Sequence, residues 1–273
     1  MKIKRLLTQS AGLLATVLGL FLTATNAPAF DTSRIEDPEV RACADRALPT
    51  NTAQQLQKVE VVGKNGFVRE SIREMFWQRS GDNDSKVLVR VLEPIDDKGV
   101  AVLINDDSDN NIVSYMSYSP KLKRVRRVTG KSFFGSILGT DFTYEDFSYF
   151  YRVDEREQAE RVEDSMVDNF PAYVLETTKP GDDANYSLVR FFIDKEVCLP
   201  VRTEFVAPNG EIRKELTVNR DEIKMVDDHW VPYESTMRDL KLGTHSVLKV
   251  VEVEIDPDLR DGMFEVSELK RGY

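Results

Sequence analysis

The sequence predicts a mainly β (α+β) protein: one large curved antiparallel sheet of roughly ten or eleven strands, with helices over its concave face. Three observations carry this. Short β-branched and aromatic runs recur from about Ala53 to Ile255, each bounded by turn residues. The spacers between them are too short for helical crossovers, so neighbouring strands join as hairpins. A clear helical pattern is confined to the N-terminal segment. A sheet of this size must curl. Pattern alone leaves two forms open, a closed lipocalin-like barrel and an open half-barrel.

The start of the chain reads as a secretory signal. Lys2, Lys4 and Arg5 form a positive n-region, and Ala11 to Ala24 an apolar h-region. Ala27-Pro28-Ala29 supplies an A-x-A cleavage site before Phe30. The apolar run is short and rich in alanine and glycine, which disfavours a retained membrane anchor. No cysteine follows the site, so lipidation is not expected. The organisation predicted is residues 1–29 as signal peptide, 30–52 as an N-terminal segment with a helix, and 53–273 as the β domain. The expected location is periplasmic, and a monomer is expected.

The formal charge is −10. Removing the signal takes away three cations and no acids, so the mature chain is more acidic still. Such a surface does not bind nucleic acid or anionic membrane as a whole. Any contact with phosphates must be local.

In chain order, Asp37-Pro38-Glu39 reads as a helix start: an N-cap, proline at the first position and an acid in the first turn. The helix runs to about Ala47, before Pro49, with Val40, Cys43, Ala44 and Leu48 at helical spacing. Gln57–Val62 and Phe67–Arg79 flank the turn Gly63-Lys64-Asn65-Gly66. Lys86–Leu92 and Gly99–Ile104 have apolar residues at both parities, which predicts burial on both faces. Ile112–Ser119 pairs with Leu122–Val128. Seven further runs follow: 159–167, 172–177, 187–193, 201–206, 211–223, 230–237 and 247–255. The tail carries a turn near Met263-Phe264.

The stretch that organises the rest is Lys121 to Tyr151. It opens on Lys121, Lys123, Arg124, Arg126 and Arg127. It passes Gly130, Gly135 and Gly139, and ends in an aromatic cluster that includes Phe133, Phe134, Phe142, Tyr144, Phe147 and Phe150. Two readings of the aromatics stand together: lining and gate of an apolar cavity, or core between a cover and the sheet. Thr140 or Asp141 is expected to cap a short helix with Glu145 and Asp146 in its first turns. Arg124, Arg126 and Arg127 either pair with Asp141, Glu145 and Asp146, or meet a lipid phosphate or acidic partner. On a strand, Arg124 and Arg126 share one face and Arg127 takes the other.

Catalytic patterns are lacking. Gly135-Ser136-Ile137-Leu138-Gly139 has the wrong spacing for a nucleophile elbow. His229 and His245 read as surface residues. Asp182-Asp183 and Asp227-Asp228 fall in turns, where aspartate serves the backbone. No nucleotide loop or metal-ligand spacing is present, so no cofactor, no metal and no enzyme activity are expected. Cys43 and Cys198 are compatible with a disulfide in an exported protein, and equally with free thiols.

The residues RVRRVTGKSFFGSILGTDFTYEDF, from Arg124 to Phe147, resemble the signature of periplasmic outer membrane lipoprotein-sorting proteins, relatives of the LolA carrier. The likeness continues through DKEVCLPVRTEF, NGEIRKELTV, DDHWVPYESTMRD and LKVVEVEID, and covers most of the chain after about residue 55. The resemblance implies the open form, an incomplete barrel with a helical lid as in LolA and LolB. It also implies a non-enzymatic carrier of lipid or lipoprotein acyl chains, moving cargo toward the outer membrane. An inner-membrane RND-type transporter is its implied partner. The chain departs from LolA's own sequence, so LolA's release residues are not carried over. The rival reading is a ligand-free β-rich accessory subunit of such an exporter.

Overall fold

The computed structural model describes residues 35–47, 50–79, 84–107, 112–149, 159–178 and 185–271. The proposed signal peptide and Phe150 lie outside them. The chain begins with α1 (Pro38–Arg46). As expected, Asp37 caps it: Asp37 Oδ1 accepts from the backbone N–H of Glu39 at 2.9 Å and of Val40 at 3.0 Å.

Six strands follow as a meander: β1 (Thr52–Val62), β2 (Val68–Arg79), β3 (Ser85–Glu93), β4 (Ala101–Asp107), β5 (Ile112–Ser119) and β6 (Arg124–Arg127). A long connection then leaves the sheet; it contains a 3-10 turn, Gly130–Phe134, and α2 (Tyr144–Ser148). The chain returns through β7 (Ala159–Arg161), β8 (Ser165–Val167), β9 (Phe170–Thr177), β10 (Leu188–Asp194), β11 (Pro200–Val206) and β12 (Ile212–Val218). A small ribbon, β13 (Ile223–Val226) with β14 (His229–Pro232), stands apart. β15 (Glu234–Asp239) and β16 (Thr244–Ile255) complete the order.

Among the described residues, fourteen strands form one antiparallel sheet, in the order β6-β5-β4-β3-β2-β1-β16-β15-β12-β11-β10-β9-β7, with β8 beside β9. The sheet is not closed, which decides between the two forms left open by pattern. The count exceeds ten or eleven because every predicted run contributes a strand to the sheet and the 159–167 run contributes two. Arg161 and Ser165 fall on separate short strands, and the 211–223 run breaks at a 3-10 turn capped by Asn219. The ribbon turns at Asp227 and Asp228, with φ of 46° and 63°, the left-handed pair of a type I′ hairpin.

The two meanders join where β1 pairs with β16, for example Val59 with Leu248. The free edges of the sheet are therefore β6 and the β7 side. The connection from Val128 to Ala159 must pass from one edge to the other. Its described part, up to Tyr149, lies over the concave face, where Ile137, Phe142, Tyr144 and Tyr149 enter the main core with Trp77, Val102, Phe191 and Phe205. α1 joins the same core through Val40, Cys43 and Ala44. Cys43 and Cys198 are disulfide-bonded, with Cα atoms 5.2 Å apart, which ties the helix to the β10–β11 turn.

The convex side of β2–β4 is also covered, as the double parity predicts. Phe76, Leu88 and Leu103 pack there against Phe264 and Leu269 of the C-terminal tail. Arg90, 3 % exposed, pins that tail by donating to the backbone oxygen of Glu268 at 2.8 Å while pairing with Glu74 at 3.0 Å. Such a buried charge is tolerable because it is paired and hydrogen-bonded.

Candidate functional site

The concave face and the segment crossing it form the candidate site. The crossing segment is held to the sheet by polar anchors as well as by its aromatics. Asp146 lies under it, fully buried. Its Oδ2 accepts from Lys214 Nζ of β12 at 2.7 Å and from its own helix cap, Thr143 N–H, at 2.7 Å. Its Oδ1 accepts from the Tyr186 hydroxyl at 2.7 Å. Burial and the adjacent Asp146 carboxylate push the Tyr186 pKa well above that of an ordinary tyrosine. Thr143 and Asp146 form a reciprocal capping box.

Thr140 and Asp141, the caps expected from sequence, are used elsewhere. Thr140 Oγ1 donates to the Ile137 carbonyl at 2.7 Å. The Asp141 carboxylate accepts from Ser246 Oγ at 2.6 Å and from Thr244 Oγ1, both on β16. Lys214 Nζ also reaches the Asp141 carbonyl, at 2.7 Å. Glu145, buried, accepts from Asn185 N–H at 2.8 Å and Asn185 Nδ2 at 2.6 Å. The expected pairing of Arg124, Arg126 and Arg127 with Asp141, Glu145 and Asp146 is thus replaced. Those acids face the middle and far half of the sheet, whereas the arginines sit on its first edge.

Arg124 and Arg126 line a cleft of about 410 Å³ beneath residues Ser136–Gly139, a volume typical of small-ligand sites. Arg127, on the opposite face of β6, does not line it. Opposite stand Arg69 and Arg73 of β2. Arg73 is 6 % exposed. It donates to Ser71 Oγ and the Leu138 carbonyl, each at 3.0 Å. Burial, and then the charge of Arg69, lower its pKa to about 10. Arg69 donates to the Gly139 carbonyl at 2.6 Å. Gly139 has φ of 73°, and a Cβ there would fall 2.4 Å from Arg69 Nη2, so glycine serves both backbone and close approach. The acids of the cleft, Glu70 and Asp97, pair outward with Lys58 and Lys121. None of the four arginines forms an ion pair with a carboxylate among the described residues. The rest of the lining is mixed: Val91, Val100, Val102, Leu138 and Tyr144 supply apolar surface beside Ser71, Ser117, Ser119 and Ser136. Val102 and Tyr144 also belong to the core. Burial pushes the Tyr144 pKa up to about 12, so it stays neutral.

Of the predicted aromatics, Phe142 and Tyr144 are buried core. Phe133 and Phe147 are half-buried against it: Phe133 meets Tyr115 edge-on at 5.8 Å, and Phe147 meets Phe142 at 5.7 Å. Phe134 is 40 % exposed. Apart from Phe134, the described aromatics are core between cover and sheet, and of the five described only Tyr144 also lines the cleft. Phe150 is among the residues not described. His229 is buried at the ribbon, not at the surface: its Nδ1 lies against the Asp227 carbonyl, and burial lowers its pKa to about 4. Arg69, Arg73 and Lys214 were not singled out from sequence. The available signal was parity: Arg69, Ser71 and Arg73 share the core-facing register of Met75 and Trp77.

Solved structures with this fold are known. A domain from Vibrio parahaemolyticus, named as an outer membrane lipoprotein-sorting protein, is 21% identical with a TM-score of 0.74; the match covers 85% of this chain and 96% of that one. A DUF1329 family protein from Desulfovibrio piger is 22% identical with a TM-score of 0.75, over 85% and 96%. A LolA superfamily protein from Nitrosomonas europaea is 18% identical with a TM-score of 0.62, over 88% and 99%. No curated protein sequence matches. A family model described as "Uncharacterized protein", that of DUF1329, matches residues 83–271. The chain belongs to the DUF1329 family and carries the open-sheet fold of the LolA superfamily.

Proposed function

We propose that this protein is a periplasmic, non-enzymatic carrier of an amphiphile with an anionic head and an acyl tail, a lipid or the lipid moiety of a lipoprotein. The observation that carries this is the cleft on the concave face. Four arginines that pair with no carboxylate among the described residues stand above Val102 and Tyr144, which continue into the core beneath the cover. Guanidinium groups recognise phosphate or carboxylate by paired donors. Each acyl CH₂ moved out of water contributes about 0.8 kcal/mol, so a tail entering under the cover adds affinity without specific contacts. In this closed form the protein's own aromatics occupy the hollow. Loading requires residues 130–149 to move aside, exchanging Phe142 and Tyr144 for hydrocarbon. The LolA-like fold supports this reading, and an inner-membrane RND-type exporter is the proposed donor.

The filled hollow also favours a second reading, a ligand-free accessory subunit. Native mass spectrometry of protein purified from the periplasm separates the two. Co-purifying acyl species, displaced by added anionic lipid, support the carrier. A chain that is reproducibly empty and takes up no fluorescent anionic lipid overturns it.

A further inference from the structure

The sheet has an asymmetric rim. In an antiparallel meander, alternate connections emerge at one end, so the β5–β6, β3–β4, β1–β2 and β15–β16 turns stand side by side. The spacing confirms it. A Cβ on Gly99 would sit 3.2 Å from Pro120 Cγ, and one on Gly243 would sit 3.8 Å from Lys64 Cγ. Each of the four tips carries an apolar side chain turned to solvent. Leu122 is 59 % exposed, Ile95 81 %, Phe67 69 %, and Leu240 and Leu242 52 % and 56 %. Each tip also carries exposed lysine: Lys121 and Lys123, Lys98, Lys64, and Lys241. Against these five lysines stand two aspartates, Asp96 and Asp97. The next tip along, Pro208-Asn209-Gly210-Glu211, has neither lysine nor a large apolar residue.

Singly exposed apolar residues are ordinary, but here five stand in one row of neighbouring tips, together with lysines, on a protein of net charge −10. The apolar residues are single and spaced along a row, each flanked by lysine. That arrangement fits a flat interface with an apolar interior and an anionic face better than the contiguous patch of a protein partner. The cleft reaches the same end of the sheet, since Pro94 and Leu122 are among its lining residues.

We infer that these four hairpin tips dock the protein on an anionic lipid bilayer, with Phe67, Ile95, Leu122, Leu240 and Leu242 entering the interface and the lysines meeting headgroup phosphates. The end of the cleft lined by Pro94 and Leu122 then lies next to the membrane. The inference goes beyond the carrier reading, and its test does not depend on lipid uptake.

The test is co-sedimentation of the full mature protein with phosphatidylcholine vesicles, with and without phosphatidylglycerol. Binding is expected to the anionic vesicles, weakening as salt rises. Replacing Lys64, Lys121 and Lys241 by Gln lowers the partition coefficient roughly a hundredfold, since each lysine near an anionic surface is worth about a factor of five. Phe67→Ser with Ile95→Ser and Leu122→Ser abolishes sedimentation at physiological salt. These positions are exposed, so an unchanged melting temperature certifies the fold. Arg73→Met, inside the cleft, leaves docking intact. If the parent does not sediment with anionic vesicles, or the tip variants bind as tightly as the parent, the inference is overturned and the row serves a protein partner or none. Docking without any lipid uptake would instead leave this inference standing and remove the carrier.

Discussion

Lys214 Nζ lies 2.7 Å from Asp146 Oδ2, with 5 % and 0 % of the two side chains exposed. The pair joins the crossing segment to β12 across the middle of the concave face. Removing one partner leaves an uncompensated charge in the core. Lys214→Met is expected to cost about 3 to 5 kcal/mol of stability, measured by urea unfolding, whereas exchanging both partners for apolar residues costs much less. A loss under 1 kcal/mol for the single variant would mean that the anchor is wet and that the cover lifts more readily than its contacts imply.

Arg73 is the buried member of the arginine group and stays charged below its pKa of about 10. Arg73→Met should keep the apolar bulk of the side chain and remove the cation. Affinity for an anionic fluorescent lipid is expected to fall at least tenfold, the effect of losing one charge-assisted bond of about 1.5 kcal/mol or more, while a neutral acyl probe binds as before. Equal loss for both probes would assign Arg73 to holding the Leu138 backbone, not to the ligand.

The disulfide spans a sequence separation of 155 residues. Cys198→Ala with Cys43→Ala is expected to lower unfolding free energy by about 2 to 5 kcal/mol. α1 should then exchange its amide hydrogens faster than the sheet does.

His229 titrates in a window that the carboxylates do not share. Its folded pKa is about 4 against 6.5 when unperturbed. As pH falls below 6.5 the unfolded chain gains a proton that the native state refuses, so stability drops until pH reaches about 4 and then levels. The total is about 3 kcal/mol from this group. His229→Gln should flatten that slope. The acid loss due to carboxylates such as Asp164, whose pKa the Arg161 hydrogen bond lowers, should remain.

What the sequence disclosed was mostly local. Asp37 capping α1 needs only neighbouring residues, and so does the left-handed turn at Asp227-Asp228. The parity that puts Leu88 and Val89 on opposite buried faces of β3 is equally local. The split of Arg124 and Arg126 from Arg127 followed from the same two-residue period, and the cleft respects it. What stayed hidden depends on which strands become neighbours. Asp141 and Asp146 are close in sequence to the basic run, yet β16 and β12 supply their partners, because the crossing segment carries them to mid-sheet before α2 forms. His229 looked polar by its neighbours and is buried by the fold of its ribbon. The arginines of β2 become a site only when β6 arrives four strands away.

The pairing of β1 with β16 has a consequence for how the molecule comes into being. The first strand finds its second neighbour only after nearly the whole polypeptide has been delivered, so the central seam of the sheet is sewn last. Until then the early meander has a bare edge, and Leu88 and Leu103 await a tail not yet present. Long-range closure of this kind is slow. A chain emerging amino-terminus first therefore keeps its central seam open until β16 and the tail that packs on Leu88 and Leu103 have been delivered.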